Sequence, residues 1–328
     1  MNEPILSICI ATFNRGEYIG ETINSILSQI SSEEIEIVIL NSGSTDNTEE
    51  IIKSYNSTLI KYFFHPKKCG VDIDYNSVVN YASGKYCWLF TDDDLLKPNA
   101  ISIILNVIKK TNLNIDYIIA NSDLRNKDMS CIYKKAIVNI NHDIVFDNSI
   151  DSQNIQFSLF GDYLSFIGCL IVSKNFWELR NKSLYFGTEF IHVGVLFQDF
   201  YQNQVYYVSE PLISIRLGNS NWTERSFKIW ILNWPNLIWS FDKYTIQSRN
   251  AVLNLNSFKI LWKISYYRAI GAFDYKLYKK LKSDLKHTIL MKIFIIIISI
   301  SPKFIFKKII SLYSKLRNRN WIIIELSK

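Results

Sequence analysis

Apolar and polar positions fall into alternating blocks over the first 125 residues. Residues 5–11 form an apolar run of the kind found in strands buried on both faces, the habit of parallel sheets. Polar Thr12, Asn14, Arg15 and Gly16 follow, and a helical pattern then covers residues 18–27. Residues 35–40 form a second apolar strand, and the polar turn 41–47 leads into a helix from about Thr48. The pattern predicts further strands at 59–64, 86–90 and 116–120. It predicts a short helix at 75–81 and another that Pro98 opens and that runs to Lys110, since proline suits a first helical turn.

Strand and helix alternating at this spacing predict an open α/β sheet with right-handed crossovers. Ligands of such sheets bind beyond the carboxyl ends of the strands, and the polar clusters fall there. Loops are polar in any protein, so the coincidence alone does not define a site. After about residue 130 the pattern weakens. A strand is expected at 166–172, a helix from Phe176, and short strands at 206–208 and 212–215. From Ser226 onward the chain reads as helices rich in Trp, Ile and Lys. There is no internal repeat and no low-complexity linker.

Composition sharpens this reading in three ways. The 328 residues are 48% hydrophobic, enough for one large domain or a core domain with an appendage. The net charge of +7 hides an asymmetry: from Ala251 onward 16 Lys and Arg face 3 acids, so the rest of the chain is acidic. A basic tail suits an anionic surface, whereas an acidic body suits metal and polyol chemistry. The five cysteines, Cys9, Cys69, Cys87, Cys131 and Cys169, are scattered and never in a CxxC pair. That argues against a disulfide framework or a zinc site and fits a reducing compartment. The first residues begin a strand almost at once, without a charged leader or cleavage site, so no signal peptide is expected.

The sharpest chemical signal is Asp92-Asp93-Asp94, directly after an apolar strand. Adjacent carboxylates repel, and a turn gains no stability from them. A magnesium or manganese ion would relieve that repulsion and neutralise a leaving diphosphate. The alternative is a solvated acidic turn that caps the next helix.

The ATFNR stretch after strand one, the NSGSTDNT turn after strand two, and ASGKY followed by TDDD together resemble the family 2 glycosyltransferases of GT-A fold. The resemblance is clear over residues 4–125. It implies an α/β GT-A fold with a mostly parallel sheet, a nucleotide-sugar donor, a divalent metal and transfer to a hydroxyl. Carried over by position, Thr12, Asn14 and Arg15 line the nucleotide pocket. Asp92 approaches the ribose or sugar, and Asp92 and Asp94 bind the metal.

Two departures from the family pattern carry information. An acidic pair usually stands where this chain has Asn41 and Ser42. An Asp there accepts the N3 proton of uracil. Cytosine offers a bare N3 and an amine, which a neutral amide or hydroxyl can serve. The pair therefore points to a CDP-linked donor, unless another residue reads the base. The usual acidic base motif of the second half is also missing. Its nearest match, FGTEFIHVG, makes Glu189 a candidate general base. His192, three residues on, is expected to share a helix face with it and to orient it, bind metal or contact diphosphate. A satisfied, half-buried histidine is the other reading. Asp93 completes the catalytic candidates, and Asp162 and Asp199 are further ones for the base. Arg216 is expected near the diphosphate, with a surface arginine as its alternative. Residues 161–169 and HVGVLF also resemble the O-antigen dideoxyhexose transferases, the abequosyltransferase type, which implies a CDP-sugar and a lipid-linked oligosaccharide acceptor.

Residues 289–300 are apolar but too short for the ~20 residues of a membrane span, and Lys and apolar residues interleave after them. This reads as an amphipathic segment lying on an anionic leaflet, near an undecaprenyl-diphosphate-linked acceptor. A buried core helix followed by a solvated basic helix is the alternative. The expected division is 1–225 for the transferase domain, with nucleotide-sugar and acceptor halves meeting near 125, and 226–328 for a helical membrane-associating region. The expected location is the cytoplasmic face of a bacterial inner membrane. No nucleic-acid partner is expected, because no binding fold accompanies the charge. A UDP-hexose transferase and a silent glycan- or membrane-binding module remain alternatives.

Overall fold

The computed structural model describes residues 3–30, 34–111, 114–219, 225–254, 256–285 and 288–316. The chain forms two compact units, Met1–Arg216 with Lys243–Ser248, and Leu217–Asp242 with Arg249–Lys328.

The first unit is built on β1 (Leu6–Thr12), α1 (Ile19–Leu27), β2 (Ile35–Ser42), α2 (Thr48–Ser54), β3 (Ile60–His65), α3 (Val71–Tyr81) and β4 (Tyr86–Phe90). β5 (Leu95–Leu96), α4 (Ala100–Lys110), β6 (Ile115–Arg125), β7 (Ile132–Lys134), β8 (Ile144–Phe146) and α5 (Ile150–Phe160) follow. β9 (Leu170–Ser173), α6 (Lys174–Leu179), α7 (Ile191–Phe197) and β10 (Gln204–Arg216) complete it. The strands form one sheet in the order β3-β2-β1-β4-β9-β6-β10-β5, with β7 beside β6 and β8 beside β10. β3, β2, β1 and β4 run parallel to one another. β9 lies antiparallel between β4 and β6, and β10 returns parallel to β6, so the sheet is mixed.

The buried strands explain their own sequences. β2 is buried at every position and β4 likewise, as a sheet covered on both faces requires. In α1, Ile19, Ile23 and Ile26 turn one stripe onto that sheet. Burying each such isoleucine contributes about 1.5–3 kcal/mol. Trp88 is fully buried, and its Nε1 donates to the Gly168 carbonyl at 2.8 Å.

Several element boundaries differ from the sequence reading. Pro98 lies before α4, not within it, because Asn99 takes a left-handed φ of 66° that no helix contains. Residues 166–169 form tight helical turns and only Leu170 onward pairs, since Cys169 N–H bonds back to the Phe166 carbonyl. The two short strands expected at 206–208 and 212–215 are one strand, β10, with register shifts around Pro211. α3 starts at Val71, four residues earlier than its apolar pattern suggests.

The second unit is helical: α8 (Ser226–Lys228) continues through a wide turn into α9 (Trp234–Ser240). α10 (Ile246–Leu253), α11 (Ser257–Ala269), α12 (Tyr275–Leu281), α13 (Ile289–Ile300) and α14 (Lys303–Leu316) follow. Its core gathers Phe227, Ile264, Phe273, Ile295 and Ile298, and the Phe227 and Phe273 rings stack at 4.2 Å. Thr288 caps α13 through Met291 N–H. The end of the basic tail, residues 317–328, lies outside the described residues.

Candidate active site

β1 has β2 on one side and β4 on the other, so the crossovers after β1 and β3 leave in opposite directions. The carboxyl ends of β1, β2 and β4 open on that switch point. There the loop after β1 and the turn after β2 are joined. Asn14 N–H donates to Ser44 Oγ at 2.9 Å, and Asn14 Oδ1 accepts Thr45 N–H at 2.7 Å. Arg15 N–H donates to Thr48 Oγ1 at 2.8 Å, and Gly16 N–H to Asp46 Oδ2 at 3.0 Å. Gly43 turns the chain at φ 74°, and a Cβ there would meet the Lys67 backbone at 3.0 Å.

The triplet stands on the turn between β4 and β5, which pins its far end to β10. Arg15 reaches two half-buried corners: Nε lies 3.4 Å from Asp92 and a terminal nitrogen 3.3 Å from Asp93. Asp94 is buried; it accepts Arg216 N–H at 2.7 Å and the Thr91 hydroxyl. Burial, then the Asp93 charge, push Asp92 up to about 7 against the pull of Arg15. The same two causes raise Asp94 well above the usual carboxylate range. Thr12 lies buried near Asp92 without a well-formed hydrogen bond.

This donor set fits a hard divalent cation. Two carboxylates have raised proton affinity because they are desolvated and crowd the Asp93 charge, and a metal ion takes the place of those protons. Each Asp94 oxygen also keeps a further lone pair beyond its hydrogen bond.

Arg216 comes to the triplet, but as a strut. Its Nε donates to the Asp93 carbonyl at 2.8 Å, and its terminal nitrogens to the Lys127 carbonyl at 2.5 Å and Glu21 at 2.6 Å. The guanidinium lies 5.0 Å from the Tyr18 ring centre. Its side chain is 3% exposed, which corrects the surface alternative.

Asn41 and Ser42 close β2, both buried. Asn41 donates to the Tyr62 hydroxyl at 3.0 Å and accepts Ser44 N–H. Ser42 Oγ lies 2.9 Å from Asp74 Oδ1, to which it donates, and accepts Cys69 N–H. The Ser42 proton is therefore taken, by an acid of α3 that stands behind Ser42. Burial raises Asp74, with Ser42 opposing.

Glu189 and His192 do not share a helix face. Glu189 precedes α7 with φ 71° and is half-buried. Its loop hangs on one carboxylate: Asp72 accepts the N–H groups of Gly187 (2.8 Å), Glu189 (2.9 Å) and Ile191 (2.9 Å). His192 is 1% exposed, and its Nε2 sits 2.9 Å from the Leu164 carbonyl. Burial drives its pKa down to about 4, so it is a neutral structural histidine. Gly194 admits the Tyr185 ring against α7, where a Cβ would come within 2.2 Å of it. Asp199 pairs with Lys243 at 2.6 Å, and Asp162 is exposed at the start of a short helical turn.

Asp72, Asp74 and Glu21 were absent from the sequence-level candidates. The acids of GVDID carried one signal, since carboxylates in a first helical turn complement the helix dipole.

The geometry and the comparisons agree on the class: the chain is a glycosyltransferase that uses nucleotide-sugar donors, built on the GT-A fold. Residues 7–162 match Glycosyl transferase family 2. The chain is 29% identical over 243 residues to abequosyltransferase RfbV of Salmonella typhimurium, covering 67% of this chain and 69% of that protein. An uncharacterised glycosyltransferase of Rickettsia typhi is 30% identical over 230 residues, 67% of this chain and 66% of its own. The fold matches Staphylococcus aureus TarS 1–349 with a TM-score of 0.56 at 14% identity, over 81% of this chain and 78% of that one. It also matches mannosyltransferase PcManGT of Pyrobaculum calidifontis, solved with GDP-Man and Mn2+, with a TM-score of 0.54 at 12% identity, over 99% and 86%.

Proposed function

We propose that the enzyme moves a sugar, a 3,6-dideoxyhexose such as abequose, from a CDP-linked donor to a lipid-linked oligosaccharide during assembly of O-antigen or a related surface polysaccharide. The observation that carries the transferase chemistry is the crowding of Asp92 and Asp94 beside Arg15 at the switch point of the sheet. Asp92 and Asp94 would hold a manganese or magnesium ion, which supplies charge neutralisation to a departing diphosphate. Arg15 adds a fixed positive charge at the same mouth. Thr12 and Asn14 line the loop beside it, and Glu189 takes the acceptor proton.

Likeness to the Salmonella abequosyltransferase supports the sugar, and the neutral amide of Asn41 supports the cytosine base. A second reading, a UDP-sugar donor, is favoured by the buried Asp74 carboxylate behind Ser42, which is an acceptor suited to uracil N3–H. A manganese-dependent transfer and hydrolysis screen of CDP- and UDP-sugars decides between them. CDP is expected to bind tighter, and UDP binding about tenfold tighter (~1.4 kcal/mol) replaces the first reading with the second. Absence of any turnover returns the chain to a silent binding module.

The location belongs to the same proposal: peripheral on the cytoplasmic face of the inner membrane. Among the described residues no single helix is long and apolar enough to cross a membrane. α13 and α14 meet at 104° and expose Ile289, Leu290, Ile293, Ile297, Phe304 and Leu312, with Lys292, Lys303, Lys307 and Lys308 between them. Apolar side chains interleaved with lysines suit an anionic leaflet.

A further inference from the structure

A second cluster of ligand-type side chains lies at the end of β3, away from the aspartate triplet in sequence. His65, Cys69 and Asp74 bring one nitrogen, one sulfur and one oxygen to within 4.8 Å of one another. His65 is the last residue of β3, Cys69 sits in the loop that follows, and Asp74 is in the first turn of α3.

The histidine is set up for ligation. Its Nε2 lies 3.1 Å from the Tyr81 hydroxyl, and Tyr81 is itself held by stacking on Phe63 at 4.2 Å. With the proton on Nε2, the Nδ1 lone pair points inward. That Nδ1 is buried with no hydrogen-bond partner, 3.9 Å from Asp74 Oδ1. Two acceptors facing each other across such a gap repel, and the gap is too long for a hydrogen bond. It suits a cation, since bonds of ~2.0 Å to nitrogen and oxygen and ~2.3 Å to sulfur place tetrahedral ligands ~3.3–3.7 Å apart. A contraction of about 1 Å across the cluster meets that geometry.

The surroundings supply a second shell. Ser42 Oγ donates to Asp74 Oδ1 at 2.9 Å and accepts Cys69 N–H at 3.2 Å, tying two of the three ligands to β2. Tyr81 fixes the ring of the third. Metal-bound histidines characteristically have such a partner on the far nitrogen. The Cys69 thiol bonds within its own loop, to the Lys67 carbonyl at 3.4 Å.

We propose that His65 Nδ1, Cys69 Sγ and a carboxylate oxygen of Asp74 bind a zinc ion, with a fourth position open to water. The mixture of thiolate, imidazole and carboxylate selects zinc over the magnesium and manganese that suit the all-oxygen aspartate site. Cys69 releases its thiol proton to solvent on binding. The ion clips the loop 65–70 to α3 and occupies the Asp74 carboxylate behind Ser42.

The test uses the full-length, untagged, reduced chain after chelator treatment, titrated with Co2+ in excess Mg2+. One equivalent of cobalt should produce the near-ultraviolet sulfur-to-metal charge-transfer band. Cys69→Ser should abolish the band, and Cys131→Ser should retain it. Tyr81→Phe should weaken zinc competition for the site by ~10-fold or more. No band in the wild type, or a band that survives Cys69→Ser, overturns the site. Should Cys69→Ser misfold by circular dichroism, alkylation of the wild type decides: zinc must slow iodoacetamide labelling of Cys69, and unchanged labelling overturns the site.

Discussion

The backbone N–H of Arg216 donates to Oδ1 of Asp94 at 2.7 Å, across 122 residues of chain. The same residue's side chain holds the Asp93 carbonyl, so one arginine fixes both the last carboxylate of the triplet and the peptide before it. Arg216→Lys should not substitute for it, because an ammonium lacks the planar fork that reaches three acceptors in different directions. Both Arg216→Lys and Arg216→Ala should lower stability by about 1–3 kcal/mol, from the part-buried Asp93 and Lys127 carbonyls left unpaired. Urea denaturation reads the loss, and calorimetry should find weaker Mn2+ binding in each variant.

Proton competition governs the triplet. Metal-free Asp92 holds its proton with a pKa of about 7, above the ~3.9 of an exposed aspartate. The folded state therefore binds that proton more tightly than the unfolded chain. This contribution to stability is complete below about pH 4 and is lost as pH rises through about 7. A divalent cation competes with the same proton, so Mn2+ affinity should climb with pH and level off above about 7. Calorimetry in buffers of different ionisation heat should record proton release on binding at pH 6 to 7, and Asp92→Asn should reduce it, leaving the share that Asp94 releases.

Glu189 depends on Asp72 for its position. The Asp72 carboxylate receives three N–H groups of the Glu189 loop, and an Asn there presents only one accepting oxygen. Asp72→Asn should cost about 1–3 kcal/mol of stability. It should lower kcat while leaving the donor KM near its wild-type value, because the donor loops do not rest on it. Steady-state kinetics at saturating acceptor measure that split.

His192 makes the opposite prediction. Burial holds it neutral with a pKa of about 4, and its ring nitrogen meets a backbone carbonyl. His192→Asn should reduce stability by about 1–3 kcal/mol yet leave the shape of the kcat against pH profile unaltered. A profile that loses one limb would assign the histidine to the chemistry.

The face of α13 and α14 gives a membrane prediction. Ile293 and Ile297 are 49% and 50% exposed, so glutamates there leave the helical core in place. Ile293→Glu with Ile297→Glu should reduce flotation with anionic vesicles strongly, and raised salt should reduce that of the wild type. Equal flotation of the double variant would remove the interfacial reading.

The elements easiest to read from sequence were those whose burial is uniform. β1, β2 and β4 are apolar on both faces, and the triplet follows β4 without a break, so strand and site were legible together. β10 was misread as two strands because Glu210 and Pro211 sit where its pairing with β6 shifts register. Arg216 was found, but its bonds to Asp93, Lys127 and Glu21 were not, since contacts with distant parts of the chain leave no mark on sequence. The α3 acids were missed because two carboxylates two residues apart resemble a polar loop, whereas here each is buried in a different direction. Cys69 and His65 were passed over because their relation depends on how β3 ends.

A single intervening residue, Ile73, separates Asp72 from Asp74 on α3. One of these acids supports the loop of Glu189, and the other accepts the Ser42 proton at the end of β2. On the proposed function, α3 thus ties the acceptor side to the donor side, and a substitution that shifts this helix is expected to alter selectivity for both substrates together.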